Sequence, residues 1–486
     1  MRFNYPVIGN ILGLLLMLNG AFMLTCIPFS LYYSDGDLSS IALAGGITIA
    51  FGSMLSYLTR NPETKELKKR DGYLIVTGGW LIMSLFGMLP YLLSGAIPSV
   101  ADALFETVSG YSTTGASILP DIESVDKGIL FWRSLTQWIG GMGIIVLAVA
   151  ILPILGIGGM QLFVAEAPGI SPDKLQPRIK ETAKRLWFIY LGLTFVETAL
   201  LWIGGMSFYD AINHGLTTMA TGGFSTKNES IAYFTSPFIQ YVLILFMFFA
   251  GTNFTVSYFV LKTDWRKVLN NEELKYYSGV ILGLTVLIVA VLFYLDVGMA
   301  SEETIRTTLF QVVSIITTTG YITTDYTQWA SFVTVLFFIM MFLGASAGST
   351  AGGVKLVRHI ILIKNSLLEL KRQLHPSAII PVRFNGQAVS RDITFNILAF
   401  IMIYISIFAL GSLVMAMLGV DFMTAIGSTA TCLGNIGPGI GSVGPVDNFA
   451  HIPQAGKVFL AILMLIGRLE LFTVLMILTP YFWRKY

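Results

Sequence analysis

The chain has 486 residues, of which 55% are hydrophobic and only 12% charged, and its mean hydropathy is +0.73. Soluble domains carry about 25% charged residues, so an ordinary globular domain is excluded and a polytopic membrane protein is expected, with apolar runs long enough to span. The net charge of +2 carries no nucleic-acid signal, and the two cysteines, Cys26 and Cys432, lie too far apart in apolar segments to suggest a disulfide framework.

Residues 1–33 put Arg2 ahead of a long apolar run. The run is too long for a signal-peptide core and lacks an A-x-A cleavage site, so a retained helix is expected. A second span covers about 40–58. Residues 1–70 thus hold two helices outside the pattern that follows.

Four similar units come next, at 71–172, 173–272, 273–388 and 389–486, and such internal repetition decides the fold class. Each reads span, short pore helix, glycine loop, span. First spans are expected near 73–93, 186–205, 277–295 and 393–418, and second spans near 129–152, 238–261, 329–362 and 457–482. The expected fold is an all-α polytopic membrane protein of four parallel helix–pore-helix–helix repeats around one pore, plus two extra N-terminal transmembrane helices. That gives ten crossings with both termini on one side.

The loops carry the chemistry. Aligned on Gly115, Gly223, Gly320 and Gly434, they read Thr113-Thr114-Gly115, Thr221-Gly222-Gly223, Thr318-Thr319-Gly320 and Cys432-Leu433-Gly434-Asn435. Six positions before each glycine stands Ser109, Thr217, Ser314 or Ser428, and thirteen before it Asp102, Asp210, Thr307 or Asp421. The latter set is expected to cap the pore helices, with an outer cation-attracting ring as a second use for the aspartates. Rings of backbone carbonyls from four Thr/Gly loops can replace the water shell of K⁺. Glycine supplies the φ > 0 that such a loop requires. The helix before each loop aims its negative C-terminal end at the ion. Glu106, His214 and Gln311 share one pore-helix column and are expected to anchor rather than conduct. Cys432-Leu433 departs from the threonine pattern.

Charge orients the repeats. With Arg2, Arg60, Lys65, Lys174, Arg178, Arg484 and Lys485 among them, 24 of the 30 Lys and Arg fall on one side of this topology. Positive charge marks the cytoplasm, so the loops open outward and both termini are cytoplasmic.

Two features fit a gate. Gly344, Ala345, Ser346, Ala347, Gly348, Ser349, Thr350, Ala351, Gly352 and Gly353 interrupt the second span of the third unit. Helix propensity collapses over such residues, and non-helical backbone at membrane depth survives only buried in protein or lining a watery cavity. The alternative is a close-packed contact through small residues. Arg468 sits mid-span, where it should face a cavity or a partner. It reads as a barrier under the filter or as a structural ion pair with Glu470 or Glu197. The G-x-S-x-G match at 344–348 and the G-x-G-x-x-G match at 439–444 lack the sheet or βαβ context their chemistry needs. Nothing points to an enzyme or to an organic cofactor.

These loops, Phe131-Trp132-Arg133-Ser134 with Thr136-Gln137-Trp138-Ile139-Gly140-Gly141, the segment 344–353 and Gly467-Arg468-Leu469-Glu470-Leu471 together resemble the Trk/Ktr/HKT superfamily of potassium-translocating membrane subunits. The two extra N-terminal helices favour its TrkH branch. The resemblance implies K⁺ uptake across a bacterial inner membrane, with K⁺ bound in the filter. It also implies a homodimer with one pore per subunit, seated on a cytosolic ring of TrkA-type nucleotide-binding subunits. Arg133 and Gln137 are implied supports of the first filter loop. A proton- or sodium-coupled secondary transporter, built on broken helices around a midplane site, is the alternative class.

Overall fold

The computed structural model describes residues 3–60, 68–143, 179–296, 301–378 and 380–484. The end of the expected span 129–152, the boundary at 172/173 and the charges at Arg2, Lys65, Lys174, Arg178 and Lys485 lie outside the described residues.

The protein is built of helices. The described residues contain one two-stranded hairpin, β1 (Arg383–Phe384) with β2 (Gln387–Ala388). Its turn is Asn385-Gly386, both with positive φ, the pairing such a tight turn favours. Among the described residues, six helices are long and apolar enough to cross a membrane.

Two of these come first: α1 (Tyr5–Leu24), extended by the short α2 (Ile27–Tyr33), and α3 (Leu38–Leu58). Their contact is a small-residue seam, the means by which helices approach closely in lipid. A Cβ on Gly13 would stand 2.7 Å from the Gly52 carbonyl oxygen, and one on Gly20 would stand 2.8 Å from that of Gly45. Asn10 closes one end of the seam by donating to Ser56 Oγ at 3.0 Å.

The repeats follow. The first contains α4 (Lys69–Gly87) and α5 (Leu89–Ser94), the pore helix α6 (Val100–Tyr111) and α7 (Lys127–Gly141). The second contains α8 (Ile179–Ile203), the pore helix α9 (Phe208–Met219), α10 (Pro237–Gly251) and α11 (Phe254–Leu261), with the short α12 (Trp265–Leu269) leading out. The third contains α13 (Glu272–Tyr294), the pore helix α14 (Ser301–Ile316), α15 (Ser331–Met340) and α16 (Leu356–Leu374). The fourth contains α17 (Arg391–Met417), the pore helix α18 (Phe422–Gly434), α19 (Gln454–Arg468), α20 (Phe472–Leu478) and the last turn α21 (Pro480–Trp483).

Two second spans expected to be continuous are broken. The axes of α10 and α11 turn by 111°, and those of α19 and α20 by 116°. At the first break Asn253 caps α11, accepting from the Thr255 N–H at 2.8 Å. At the second, Glu470 and Leu471 both take positive φ, and the Phe472 N–H reaches back to the Glu470 carbonyl at 2.6 Å. A three-residue turn of this hand is rare and strained. Hydropathy counts only apolar length, so breaks of this kind leave no trace in it.

The expected caps also shift. Ser99 and Ser207 cap α6 and α9, accepting from the N–H groups of Asp102 and Asp210. Those two aspartates lie one turn in, where a carboxylate still favours the helix's positive end. Thr307 is interior to α14, whose described residues already start at Ser301, whereas Asp421 does cap α18. The aspartates are engaged locally: Asp102 pairs with Lys457 at 2.6 Å and Asp210 accepts from Thr226 Oγ1 at 2.6 Å.

Gly52→Leu should force α1 and α3 apart and destabilise the protein by about 1–3 kcal/mol, the usual cost of overpacking. Thermal unfolding in detergent checks this, with the K⁺/Na⁺ flux ratio expected to stay at the wild-type value.

Candidate ion-conduction site

Each pore helix runs into a left-handed turn, which follows two residues after the ends of α6, α9 and α14 and directly after that of α18. The positive-φ residues there are Thr113, Thr221, Thr318 and Asn435, at φ of 53°, 52°, 56° and 54°. Two positions later come Gly115, Gly223, Gly320 and Gly437, at 81°, 74°, 78° and 106°. Between them, the N–H groups of Thr114, Gly222, Thr319 and Ile436 return to the carbonyls of Ser109, Thr217, Ser314 and Thr431, at 2.9, 2.8, 2.9 and 3.0 Å.

The same geometry therefore occurs four times, and it corrects the alignment of the fourth loop. Cys432, Leu433 and Gly434 form the last turn of α18; the residues equivalent to the other loops are Asn435, Ile436 and Gly437. The partner of Ser109, Thr217 and Ser314 is accordingly Thr431, not Ser428. Gly434 matches the other three glycines in its distance from Asp421 and Ser428, but it lies inside the helix. Two signals pointed to the right one. Asp421 lies sixteen residues before Gly437, as Ser99 and Ser207 do before Gly115 and Gly223. Asparagine is also the side chain that best tolerates the left-handed region.

The four loops close on one axis. A Cβ on Gly115 would meet the Gly222 carbonyl oxygen at 2.2 Å, one on Gly223 the Thr319 oxygen at 1.9 Å, one on Gly320 the Ile436 oxygen at 2.0 Å, and one on Gly437 the Thr114 oxygen at 2.8 Å. Each glycine thus abuts the next loop's carbonyl, and the fourth returns to the first. All four glycines line a single cavity together with Ser117, Ser225 and Asp447.

The column on the pore helices ties them to the chain leaving the ring. Glu106 accepts from Ser117 Oγ at 3.0 Å and from the Ile118 N–H at 2.9 Å. His214 Nδ1 donates to the Asp210 carbonyl at 2.7 Å, which leaves Nε2 to accept from Ser225 Oγ at 3.0 Å. Gln311 Nε2 donates to Thr323 Oγ1 at 3.2 Å. Arg133 and Gln137 act across repeats. Arg133 pairs with Glu106 at 2.6 Å, donates to the Ser225 carbonyl and lies 3.5 Å from the Phe224 ring centre. Gln137 donates to the Gly222 carbonyl at 2.6 Å and accepts from the Phe224 N–H at 3.1 Å. Both therefore brace the second loop more than the first.

Beneath the ring lies the segment 344–353, between α15 and α16. Gly344 N–H donates to the Val354 carbonyl and Leu356 N–H to that of Ala345, closing its base. Ser346 N–H donates to the Gly251 carbonyl, Ala347 N–H to Glu273 and Ser349 Oγ to the Ser346 carbonyl. Gly348 accepts from the Phe254 N–H, and Ala351 accepts from Lys355. The segment is thus seated in the break between α10 and α11. Its upper side touches the ring: Gly352 N–H donates to Thr318 Oγ1 at 2.7 Å, and a Cβ on Gly353 would lie 3.5 Å from Thr318 Cγ2. Thr350 Oγ1 donates to the Met219 carbonyl at 3.0 Å.

Arg468 ends α19 at the same level. Its guanidinium donates to Thr113 Oγ1 at 3.0 Å, to the Thr350 carbonyl at 2.7 Å and to the Gly140 and Gly141 carbonyls at 2.6 and 3.0 Å. Glu470, one of its two expected partners, pairs instead with Arg358. Glu197 is buried in α8 against the second pore helix.

The pattern that defines the TrkH family, described as a cation transport protein, matches residues 38–482. The chain belongs to the TrkH family. It is 40% identical over 489 residues to the Trk system potassium uptake protein TrkH of Escherichia coli K12, covering 99% of this chain and 100% of that protein. The corresponding protein of Halomonas elongata is 38% identical, with 99% of each chain covered. The crystal structure of the potassium transporter TrkH from Vibrio parahaemolyticus superposes with a TM-score of 0.88 over 100% of both chains at 36% identity. Four pore repeats plus two leading helices, all in a multi-pass membrane protein, are thus the TrkH-family fold.

Glu106→Ala should leave Arg133 buried without its carboxylate. That loss is worth about 3–5 kcal/mol, read as thermal or denaturant unfolding of the detergent-solubilised protein.

Proposed function

We propose that the chain carries K⁺ into a bacterial cell across the inner membrane by channel-like permeation along the axis of the four loops. The observation that carries this reading is the closed ring in which every glycine abuts the next loop's carbonyl. Main-chain oxygens held at that spacing, with no side chain between them, substitute for the water that K⁺ sheds on entry. The filter residues are then Thr113-Thr114-Gly115, Thr221-Gly222-Gly223, Thr318-Thr319-Gly320 and Asn435-Ile436-Gly437. Four helix C-termini converge on the axis, each contributing roughly half a negative charge.

The segment 344–353 and Arg468 form the gate. Both are hydrogen-bonded to the underside of the ring, and a guanidinium there opposes a passing cation. Opening withdraws the segment from the break between α10 and α11. A TrkA-type ring fits the basic cytoplasmic side and supplies the control. The protein works as a homodimer with both termini cytoplasmic.

Coupled secondary transport is the second reading, favoured by the two sharply bent spans, because transporters build midplane sites from discontinuous helices. Reconstitution decides between them. Current steps of single-channel size support permeation, and fixed-ratio turnover with protons or sodium supports coupling.

Gly320→Ala should abolish K⁺ flux in proteoliposomes, since its φ of 78° and the Ile436 oxygen 2.0 Å from a new Cβ leave a methyl no room. Arg468→Gln, or deletion of two residues from 344–353, should raise K⁺ flux in the absence of any partner; flux at or below wild type in both would sink the gate.

A further inference from the structure

Three loops carry threonine at the left-handed position and the fourth carries Asn435. This position is where ring and gate touch: Arg468 donates to Thr113 and Gly352 N–H to Thr318. Asn435 does more than the threonines, because an amide has two donors and an acceptor where a hydroxyl has one proton. Its Nδ2 donates to Thr114 Oγ1 in the first loop at 3.0 Å and to the Met464 carbonyl at 2.8 Å. Met464 belongs to α19, the helix that ends in Arg468. Its Oδ1 is fully buried with no donor among the described residues. That oxygen faces both halves of the gate: a Cβ on Gly352 would lie 3.2 Å from it, and one on Gly467 would lie 2.9 Å from it. A buried carbonyl oxygen left without a donor is costly, and only glycine at 352 and 467 allows the approach.

We infer that Asn435 is a positioning residue that couples ion discrimination to gating, by tying the first filter loop to the Arg468 helix while seating the segment 344–353. The inference rests on the filter-and-gate reading above. One side chain bridges the fourth loop, the first loop, α19 and Gly352. A threonine or serine there cannot reach Thr114 and Met464 together. The ring then loses the brace between its first and fourth loops, and the gate loses its seat at the same moment.

The test uses full-length protein in proteoliposomes without any partner subunit, measuring K⁺ flux, Na⁺ flux and thermal unfolding. Asn435→Thr installs the residue the other three loops already hold in this conformation, and Asn435→Ser does so with less strain. In both, the K⁺/Na⁺ flux ratio should fall and the basal K⁺ flux should rise together, each by about 3- to 10-fold, the size of one lost buried hydrogen bond. Thr114→Val removes the acceptor in the first loop and should produce the same paired change. A ratio that falls with basal flux unmoved, a basal flux that rises with the ratio unmoved, or no change in either overturns the coupling. If Arg468→Gln raises basal flux while the Asn435 variants do nothing, the coupling fails and the gate stands. If Arg468→Gln and the two-residue deletion from 344–353 are also without effect, it is the gate reading that fails.

Discussion

The structure depends on the contact between a glycine with positive φ and the carbonyl of the neighbouring loop, made four times around a closed circuit. Each contact is shorter than a side chain permits. Each also needs a backbone conformation that an L-residue with a Cβ adopts only under strain. The pore helices, the buttressing column and the cross-repeat pair Arg133–Glu106 all serve to hold these loops at that separation. Non-helical backbone of this kind survives within a membrane only where it is buried in protein or lines a watery cavity.

The support differs above and below the ring. Above it, side chains of the pore helices hold the departing chain: Glu106 on Ser117, His214 on Ser225, Gln311 on Thr323. Below it, hydroxyls at the left-handed turns are gripped by elements from elsewhere in the sequence, Arg468 and the Gly352 N–H. The upper ties are local, spanning eleven or twelve residues. The lower ones reach farther, from Gly352 to Thr318 within the third repeat and from Arg468 in the fourth repeat to Thr113 in the first, so movement of the segment 344–353 or of α19 reaches the ring directly.

The architecture was legible because its signal is repetition. Four apolar pairs flanking a short capped helix and a glycine can be read from sequence, and so can the segment 344–353, since four glycines among ten small residues lower its helix propensity. What escaped was local. Asn435-Ile436-Gly437 was invisible to a search keyed on threonine, although backbone conformation, not side-chain identity, is what the loop shares. The broken spans at 252–253 and 469–471 escaped because hydropathy averages over direction. Gln137 was assigned to the wrong loop because it acts across repeats, on Gly222, and sequence distance carries no information about which loop a span leans on.

Nine residues before each ring glycine stands a different group: a carboxylate, an imidazole, an amide and, in the fourth quadrant, Ser428, which bonds only within its own helix. There the departing chain is held by bare backbone packing instead, Gly427 lying so close to Ile440 that a Cβ would be 2.4 Å from its oxygen. A fourfold aperture is thus fastened by four unlike chemistries. A substitution at one fastening therefore leaves the other three in place to hold the diameter of the aperture.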